Sequence, residues 1–431
     1  MTLYNHGVAK IQLHTRLNRE QIQDIIGRYA RRELRAKEAC RYLGIGRTRL
    51  HQLNLKYRFD PSQVAVIHKR LSPPRRLQES IKEHILKELT FEKEKIIDNP
   101  NVPTTRYNYS YIKNLIQEKY DEAVSLPTII QLAKTNNFWK AKRKREQIHT
   151  RQVFTQFVGE LIQHDSSHHL FAPDQLKKWY LITSLDDYSR KLLHARLVLV
   201  ETTWIHIQAV EEVCLRFGIP FSYYVDQHSI FRYVKDRDKF SVWTTYTKFT
   251  GDVDTQWNTL LKDLSTKPIF ALSPEAKGKI ERPYQWLQDH LVRTCVRNNI
   301  TDIAKGQQIL TEEVIRYNTR QVHSVTGEIP DIRFNKAIKE GKTLFRPFTP
   351  IQPYTTRDIF SLRETRTTDG YRSISLFGTK LKVPHVDPYR PIDIRMLPDI
   401  KAKTVEVRFW HEKTFLGSQT LPATDLPGVH F

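Results

Sequence analysis

Asp165, Asp226 and Glu281 are the acids whose settings in the sequence could do chemistry. Glu281 lies in SPEAKGKIER (273–282), among Lys277, Lys279 and Arg282 and just after a glycine, where a short apolar run gives way to a helical pattern. Asp226 closes the apolar run PFSYYVD (220–226), and Asp165 lies within LIQHDSSHHLF (161–171). Carboxylates are hard oxygen donors that suit Mg²⁺, an ion that keeps positions open for water and phosphate oxygens. Two such ions bridged by an aspartate can activate an attacking hydroxyl and stabilise the leaving oxygen of an in-line displacement. Acids gathered without a cation repel one another. Three in one place therefore predict a site for two Mg²⁺ ions, with Mn²⁺ as a substitute. Lys277, Lys279 and Arg282 would then hold phosphates beside the metals.

Neighbouring polar residues carry weaker expectations. Asp186 and Asp187, in DDYSRK (186–191), read as turn formers. Asp165, Ser167 and His169 share one strand face and His168 takes the other, so the histidines are lesser candidates for a direct role. His228, two residues past Asp226, is a candidate substrate contact, whereas Trp204, Trp257 and Trp286 read as core.

The elements that must position these acids follow from periodicity. Leu161–Phe171, Trp179–Leu185 and Leu192–Val200 read as three strands joined by short turns, hence an antiparallel meander. Glu201–Phe217 is an amphipathic helix closed by Gly218 and Pro220. PFSYYVD is a buried strand, Asp254–Leu264 a helix, Lys267–Leu272 a strand, and a long helix opens near Lys279. Pro283 fits an early turn of that helix, or else kinks it. The order β-β-β-α-β-α-β-α is that of the ribonuclease-H-like fold, in which carboxylates from the first strand, the end of the fourth and the last helix converge on one sheet edge. Residues 231–251 read as a surface insertion.

Charge divides the chain of 431 residues. Residues 1–150 carry 30 Lys and Arg against 15 Asp and Glu, whereas residues 151–340 carry 25 against 23. A basic front joined to a near-neutral middle predicts a polyanion-binding region, with nucleic acid favoured over a membrane surface. Three scattered cysteines imply neither a zinc site nor a disulfide framework. No signal-peptide core or 18-residue apolar run occurs, which predicts an intracellular protein without membrane contact.

In the front half Asn18 and Gln21 form a capping box, and Ile22, Ile25, Ile26 and Tyr29 follow helical spacing. AKEACRYLGIGRTRLHQL (36–53) then reads as a helix-turn-helix. Cys40 is small where helices approach, Gly44 takes the tight turn, and Leu50 and Leu53 face inward. Arg47, Thr48, His51 and Gln52 face outward, able to bond base edges or phosphates. A charged helix over 76–96, a second capped by Ser110 through Tyr120, and a third opened by Ser125 and Pro127 and closed near Asn136 make a second helix-turn-helix-like group. It leads into the basic run Lys140, Lys142, Arg143, Lys144 and Arg145, a phosphate-tracking linker. The last ninety residues alternate as strands, with hairpin turns at FGTK and WHEKTF, and predict a small β-barrel. The expected modules are thus 1–70, 71–150, 151–345 and 346–431.

LIQHDSSHHLF, LITSLDDYSRKLLHARLVLVETTW, VDQHSIF, ALSPEAKGKIERPYQWLQDHL and YNTRQVHSVTGEIP together resemble the integrase core of DDE transposases of bacterial insertion sequences. The similarity is to the group labelled ISNCY, with retroviral integrases as more distant relatives. It spans roughly residues 155–340, and the preceding helix-turn-helix fits the same family. The resemblance implies Asp165, Asp226 and Glu281 as a catalytic triad holding two Mg²⁺ ions. It implies binding of an element's terminal repeats, cleavage of DNA 3′ ends and joining of those ends to target double-stranded DNA. It further implies a homo-oligomer on DNA and a place at the nucleoid of a bacterial cytoplasm. A catalytically inactive, transposase-derived DNA-binding regulator is the alternative, which damage to the triad would favour; all three acids are present.

Overall fold

The computed structural model describes residues 17–64, 77–140, 155–172, 178–226, 230–231, 233–234, 252–253, 255–271 and 278–426. The chain divides between Gln78 and Glu79 into two compact units.

Among the described residues, the first unit has three short α-helices around one apolar cluster. Helix α1 (Arg19–Ala30) opens on the expected capping box, Asn18 Oδ1 accepting from the Gln21 amide at 2.8 Å and Gln21 Oε1 from the Asn18 amide at 3.0 Å. Helix α2 (Ala36–Leu43) ends at Gly44, whose φ of 64° lies in the left-handed region. Helix α3 (Arg47–Phe59) follows after Ile45 and Gly46. Ile22, Ile26, Ala39, Leu43, Leu50, Leu53 and Val64 fill the centre.

The second unit begins with α4 (Glu79–Phe91), a π-helical turn (Glu92–Ile97), α5 (Tyr109–Tyr120) and α6 (Leu126–Thr135). Asn108, not Ser110, caps α5, its side chain accepting from the Tyr111 amide at 3.0 Å. Ser125 caps α6, with Pro127 in the first turn and Asn136 at its end. Next comes a sheet in the order β3-β2-β1-β4-β7, from β1 (Ile162–His169), β2 (Trp179–Asp186), β3 (Leu192–Val198), β4 (Ser222–Val225) and β7 (Lys267–Phe270). A two-residue ribbon, β5 (Tyr233–Val234) with β6 (Asp252–Val253), brackets most of the expected insertion, whose residues 235–251 lie outside the described ones.

The first three strands are antiparallel, while β4 runs parallel to β1 and β7 parallel to β4. Helices α7 (Thr203–Phe217, capped by Thr202) and α8 (Gln256–Asp263, capped by Thr255) connect them. Helices α9 (Gly278–Arg297) and α10 (Ile303–Arg320) follow. This strand order and connectivity are those of the ribonuclease-H-like fold. Pro283 stands in the second turn of α9. Period-2 alternation gives each sheet face its own helices. Tyr180 and Ile182 pack with Ile205 and Ala209 of α7, whereas Trp179, Leu181 and Leu185 pack with Leu287 and Leu291 of α9.

Helices α4 and α5 sit on the C-terminal half of α9. Glu88 is buried and accepts from Lys119 at 2.7 Å, Tyr120 at 2.8 Å and Arg297 at 2.5 Å. Glu92 pairs with both Arg293 and Arg297. Burial alone would raise the Glu88 carboxyl, but these partners hold it below its ordinary value.

After α11 (Pro330–Lys339) and the single turn α12 (Thr356–Ile359), the chain forms β8 (Leu362–Thr367), β9 (Ser373–Leu376), β10 (Thr379–Lys382), β11 (Pro391–Asp399), β12 (Thr404–His411) and β13 (Thr414–Pro422). The expected small β-barrel is corrected here. Strands β13-β12-β11-β8 make an open antiparallel sheet and β9–β10 a separate hairpin, with no closure among the described residues. The alternating residues do face a core, as Ile374, Leu376, Ile392, Ile394, Val405, Val407 and Phe409 are buried. No pairing joins β13 to β8, which leaves both as edges.

Candidate active site

The site is built from the middle of β1 outward. Ile162 and His164 face α7 and α8, Ile162 packing in their apolar cluster and His164 Nε2 lying 2.8 Å from Nδ1 of His206. The alternate residues Gln163, Asp165 and Ser167 face α9, which Ser167 meets directly: Gln288 Nε2 donates to Ser167 Oγ at 2.5 Å. The parallel register pairs Ile162 with Tyr223 and Gln163 with Tyr224. Continued by two residues, it sets Asp226, just past the end of β4, level with Asp165. Adjacent strands lie about 4.8 Å apart, so the two acids leave the same sheet face as neighbours. Both are half-buried.

Helix α9 lies over this face. Tyr284 is buried and its hydroxyl accepts from Thr183 Oγ1 at 2.9 Å, while Thr183 pairs with Asp165 across the β1–β2 ladder. Burial lifts the Tyr284 hydroxyl well above the ordinary tyrosine value, and the negative charge of Asp165 adds to it, with smaller additions from Glu201 and Asp226. One tyrosine on α9 therefore feels both aspartates. Glu281, Tyr284 and Gln288 recur at i, i+3 and i+7, one stripe of the helix. Glu281 is placed on that stripe, one turn before Tyr284.

Oxygen-only donors on one face, side by side in register, suit a hard divalent cation. No group of three or more His, Cys, Asp or Glu able to hold a metal ion occurs among the described residues, which do not include the Glu281 side chain. Lys277 and His228 lie outside the described residues, as do Lys142, Arg143, Lys144 and Arg145 and the side chains of Lys279 and Arg282. Lys140 is exposed at the end of the described front half. Arg47, Thr48, His51 and Gln52 are exposed on α3, with Arg49 Nη1 donating to Gln52 Oε1 at 3.2 Å.

The lesser candidates have structural work. Asp186 is fully buried and accepts from the Gly159 amide at 2.8 Å and from the amide and hydroxyl of Ser189 at 2.8 and 2.6 Å. Asp187 accepts from Gln163 at 2.5 Å, Arg190 at 2.8 Å and Thr155 at 2.9 Å. His168 stacks on its cross-strand partner Tyr180, ring centroids 4.1 Å apart. Burial lowers the His169 imidazole, favouring its neutral form.

Two features escaped the sequence reading. Tyr284 and Gln288 stand at i+3 and i+7 from Glu281, and that spacing was the available signal. The other is a buried row on the opposite sheet face: Ser184 Oγ to His164 Nδ1 at 2.9 Å, His164 Nε2 to His206 Nδ1 at 2.8 Å, and His206 Nε2 to Glu201 at 2.9 Å. No local pattern announces it, since its members come from β1, β2, α7 and the residue before the cap of α7.

No family model matches the chain. It is 28% identical over 243 residues to a protein of Sinorhizobium fredii named as a transposase, y4bF; the match covers 56% of this chain and 48% of that one. It is 28% identical over 173 residues to the transposase for insertion sequence IS1202 of Streptococcus pneumoniae, covering 40% and 35%. The chain thus spans about half the length of the first relative and about a third of the second. Among solved structures, the HTLV-2 integrase catalytic core in complex with magnesium aligns with 41% of this chain and 97% of that one, at 13% identity and a TM-score of 0.31. The simian T-cell lymphotropic virus intasome in complex with a PP2A regulatory subunit aligns with 72% and 95%, at 11% identity and a TM-score of 0.35. No helix among the described residues is long and apolar enough to cross a membrane.

Proposed function

We propose that this chain, a relative of bacterial insertion-sequence transposases, cuts DNA at the 3′ ends of its element and joins those ends to target DNA. The observation that carries the proposal is the parallel register of β1 and β4, which sets Asp165 level with Asp226 just past the end of β4, under the stripe of α9 that bears Glu281. Asp165, Asp226 and Glu281 would hold two Mg²⁺ ions, or Mn²⁺ in their place. Such ions, when bound, lower the pKa of an attacking water or hydroxyl and stabilise charge on phosphate oxygens. The protein's own part is positioning. The sheet fixes the two aspartates at one level, and α9 with its buried apolar face keeps bulk water from the floor of the site. Lys277, Lys279 and Arg282 hold DNA phosphates alongside, without taking the metal positions.

Recognition belongs to the front half. Helices α2 and α3 form a helix-turn-helix in which Arg47, Thr48, His51 and Gln52 reach base edges and backbone of the terminal repeats. A second helical group and the run from Lys140 to Arg145 follow phosphates. Two element ends must be held together before transfer, so the working form is a homo-oligomer on double-stranded DNA. It acts at the nucleoid in the bacterial cytoplasm.

The test is a strand-transfer assay with labelled terminal DNA, target plasmid and Mg²⁺. Cleaved 3′ ends and joined products are expected with the wild-type chain and neither in EDTA. Binding of terminal DNA without either product, across Mg²⁺ and Mn²⁺, would reject the enzymatic reading.

A further inference from the structure

Helix α9 is fastened to the sheet at two hydroxyls. Thr183 Oγ1 donates to Tyr284 Oη at 2.9 Å, and Gln288 Nε2 donates to Ser167 Oγ at 2.5 Å. Thr183 is the cross-strand partner of Asp165, and Ser167 lies two residues past Asp165 on the same face of β1. Four helical residues advance about 6 Å, and two strand residues about 6.6 Å. The two bonds therefore form together when α9 crosses from β2 towards β1 in the direction of β1, with Tyr284 over Thr183 and Gln288 over Ser167. A slide of the helix by a full turn, about 5.4 Å, would break both.

Stability alone does not require this arrangement. Leu287 and Leu291 already bury the helix, and apolar burial is non-directional. A buried hydroxyl pair contributes little net stability compared with apolar groups of the same shape. What it adds is direction and distance. We infer that Tyr284 and Gln288 are positioning residues that set the level of α9, and with it Glu281, against Asp165. The inference rests on the carboxylate site proposed above.

The test uses the full chain carrying Tyr284→Phe, Thr183→Val, both together, or Gln288→Met. Each is read for thermal midpoint without metal, for the rise of that midpoint with added Mg²⁺, and for the Mg²⁺ concentration giving half-maximal 3′-end cleavage. Each single substitution should raise the half-maximal Mg²⁺ by about tenfold, the usual range for groups that orient metal ligands. The Mg²⁺-dependent rise in midpoint should shrink in parallel, while DNA binding is kept. The double variant should recover the metal-free midpoint, since no buried hydroxyl is left unpartnered, yet respond to Mg²⁺ no better than either single one. A wild-type Mg²⁺ response in Tyr284→Phe, or effects that add in the double variant, would overturn the inference. Asp165→Asn and Glu281→Gln separate the two levels. If these keep cleavage, the carboxylate site itself is wrong; if they lose it while Tyr284→Phe responds normally, only the positioning role fails.

Discussion

Asp226 stands beside Asp165 because the parallel register of β4 on β1, which pairs Gln163 with Tyr224, reaches both acids two residues later. Asp165 could not leave that position without shifting β1, whose first three residues are buried, nor Asp226 without shifting the end of the wholly buried β4.

Replacing either aspartate by asparagine, or Glu281 by glutamine, should lower 3′-end cleavage and strand transfer by on the order of a thousandfold, because amides are poor Mg²⁺ ligands and both steps share the site. Pairs of these substitutions should be little worse than one. Affinity for terminal DNA should be kept, since the change removes only negative charge. Gel shifts at matched occupancy, followed by cleavage, check this. Near-normal cleavage by Glu281→Gln would leave SPEAKGKIER an ordinary helix start.

Asp187→Asn should act through the fold instead. Its carboxylate faces the nearly buried Arg190, so the change leaves a cation without its counter-charge, at about 3 kcal/mol. A lower unfolding midpoint with normal cleavage per folded molecule is expected. Loss of cleavage at an unchanged midpoint would instead make Asp187 a candidate ligand.

Arg47→Ala with Gln52→Ala should reduce discrimination between terminal and random DNA by about tenfold or more. Non-specific binding should fall less, because phosphate contacts elsewhere persist. Fluorescence anisotropy over a salt series measures both, and equal loss on the two DNAs would remove these residues from base readout.

Glu88→Gln should destabilise the second unit by about 3 kcal/mol, as Arg297 loses a buried counter-charge. Lys119→Met touches the same carboxylate from a half-exposed position and should cost less than about 1 kcal/mol. Urea unfolding of both variants checks the order, and the reverse order would reject the buried network as the stronger tie.

Asp358 gives a pH prediction. Burial alone would raise its carboxyl, but hydrogen bonds from Thr355 and Arg408 outweigh that and hold it below the ordinary 3.8. A depressed folded value means the contribution is whole above the unfolded value and drains away as pH falls through the folded one. Asp358→Asn should therefore be clearly less stable than wild type at pH 6, with the gap narrowing below about pH 3.8. A gap unchanged down to pH 2.5 would contradict this account.

The parts legible in the sequence were those set by short-range rules. Alternation placed β1, β2 and β3, the Asn18–Gln21 box opened α1, and Gly44 took the left-handed turn. The cap of α5 was misassigned because Asn108 and Ser110 both qualify locally. The choice falls to Asn108, whose amide also donates to Asp289 of α9 at 2.5 Å. The charged look of residues 76–96 hid Glu88 and Glu92, which become core residues through arginines about two hundred positions away. The barrel failed for a related reason: alternation says which side chains face inward, not which edges meet. At the candidate site, the sequence offered candidate acids and the elements that carry them, while the hydroxyl contacts of Tyr284 and Gln288 depend on the registration of a helix against strands distant in sequence.

The alternation of β1 also constrains how the chain can vary over generations. His164 serves the α7 and α8 side and Asp165 the α9 side, one residue apart. Loss or gain of a single residue within β1 would exchange them, putting an imidazole where the acid stands and a carboxylate among Trp257, Phe231 and Tyr223. Between β4 and α8, by contrast, residues 226–255 intervene, and among the described ones only the two-residue strands β5 and β6 pair as a ribbon. Insertions and deletions in descendants of this sequence should therefore collect between the strands and be purged within them, as in a text whose paragraphs may lengthen but whose key line must keep its metre.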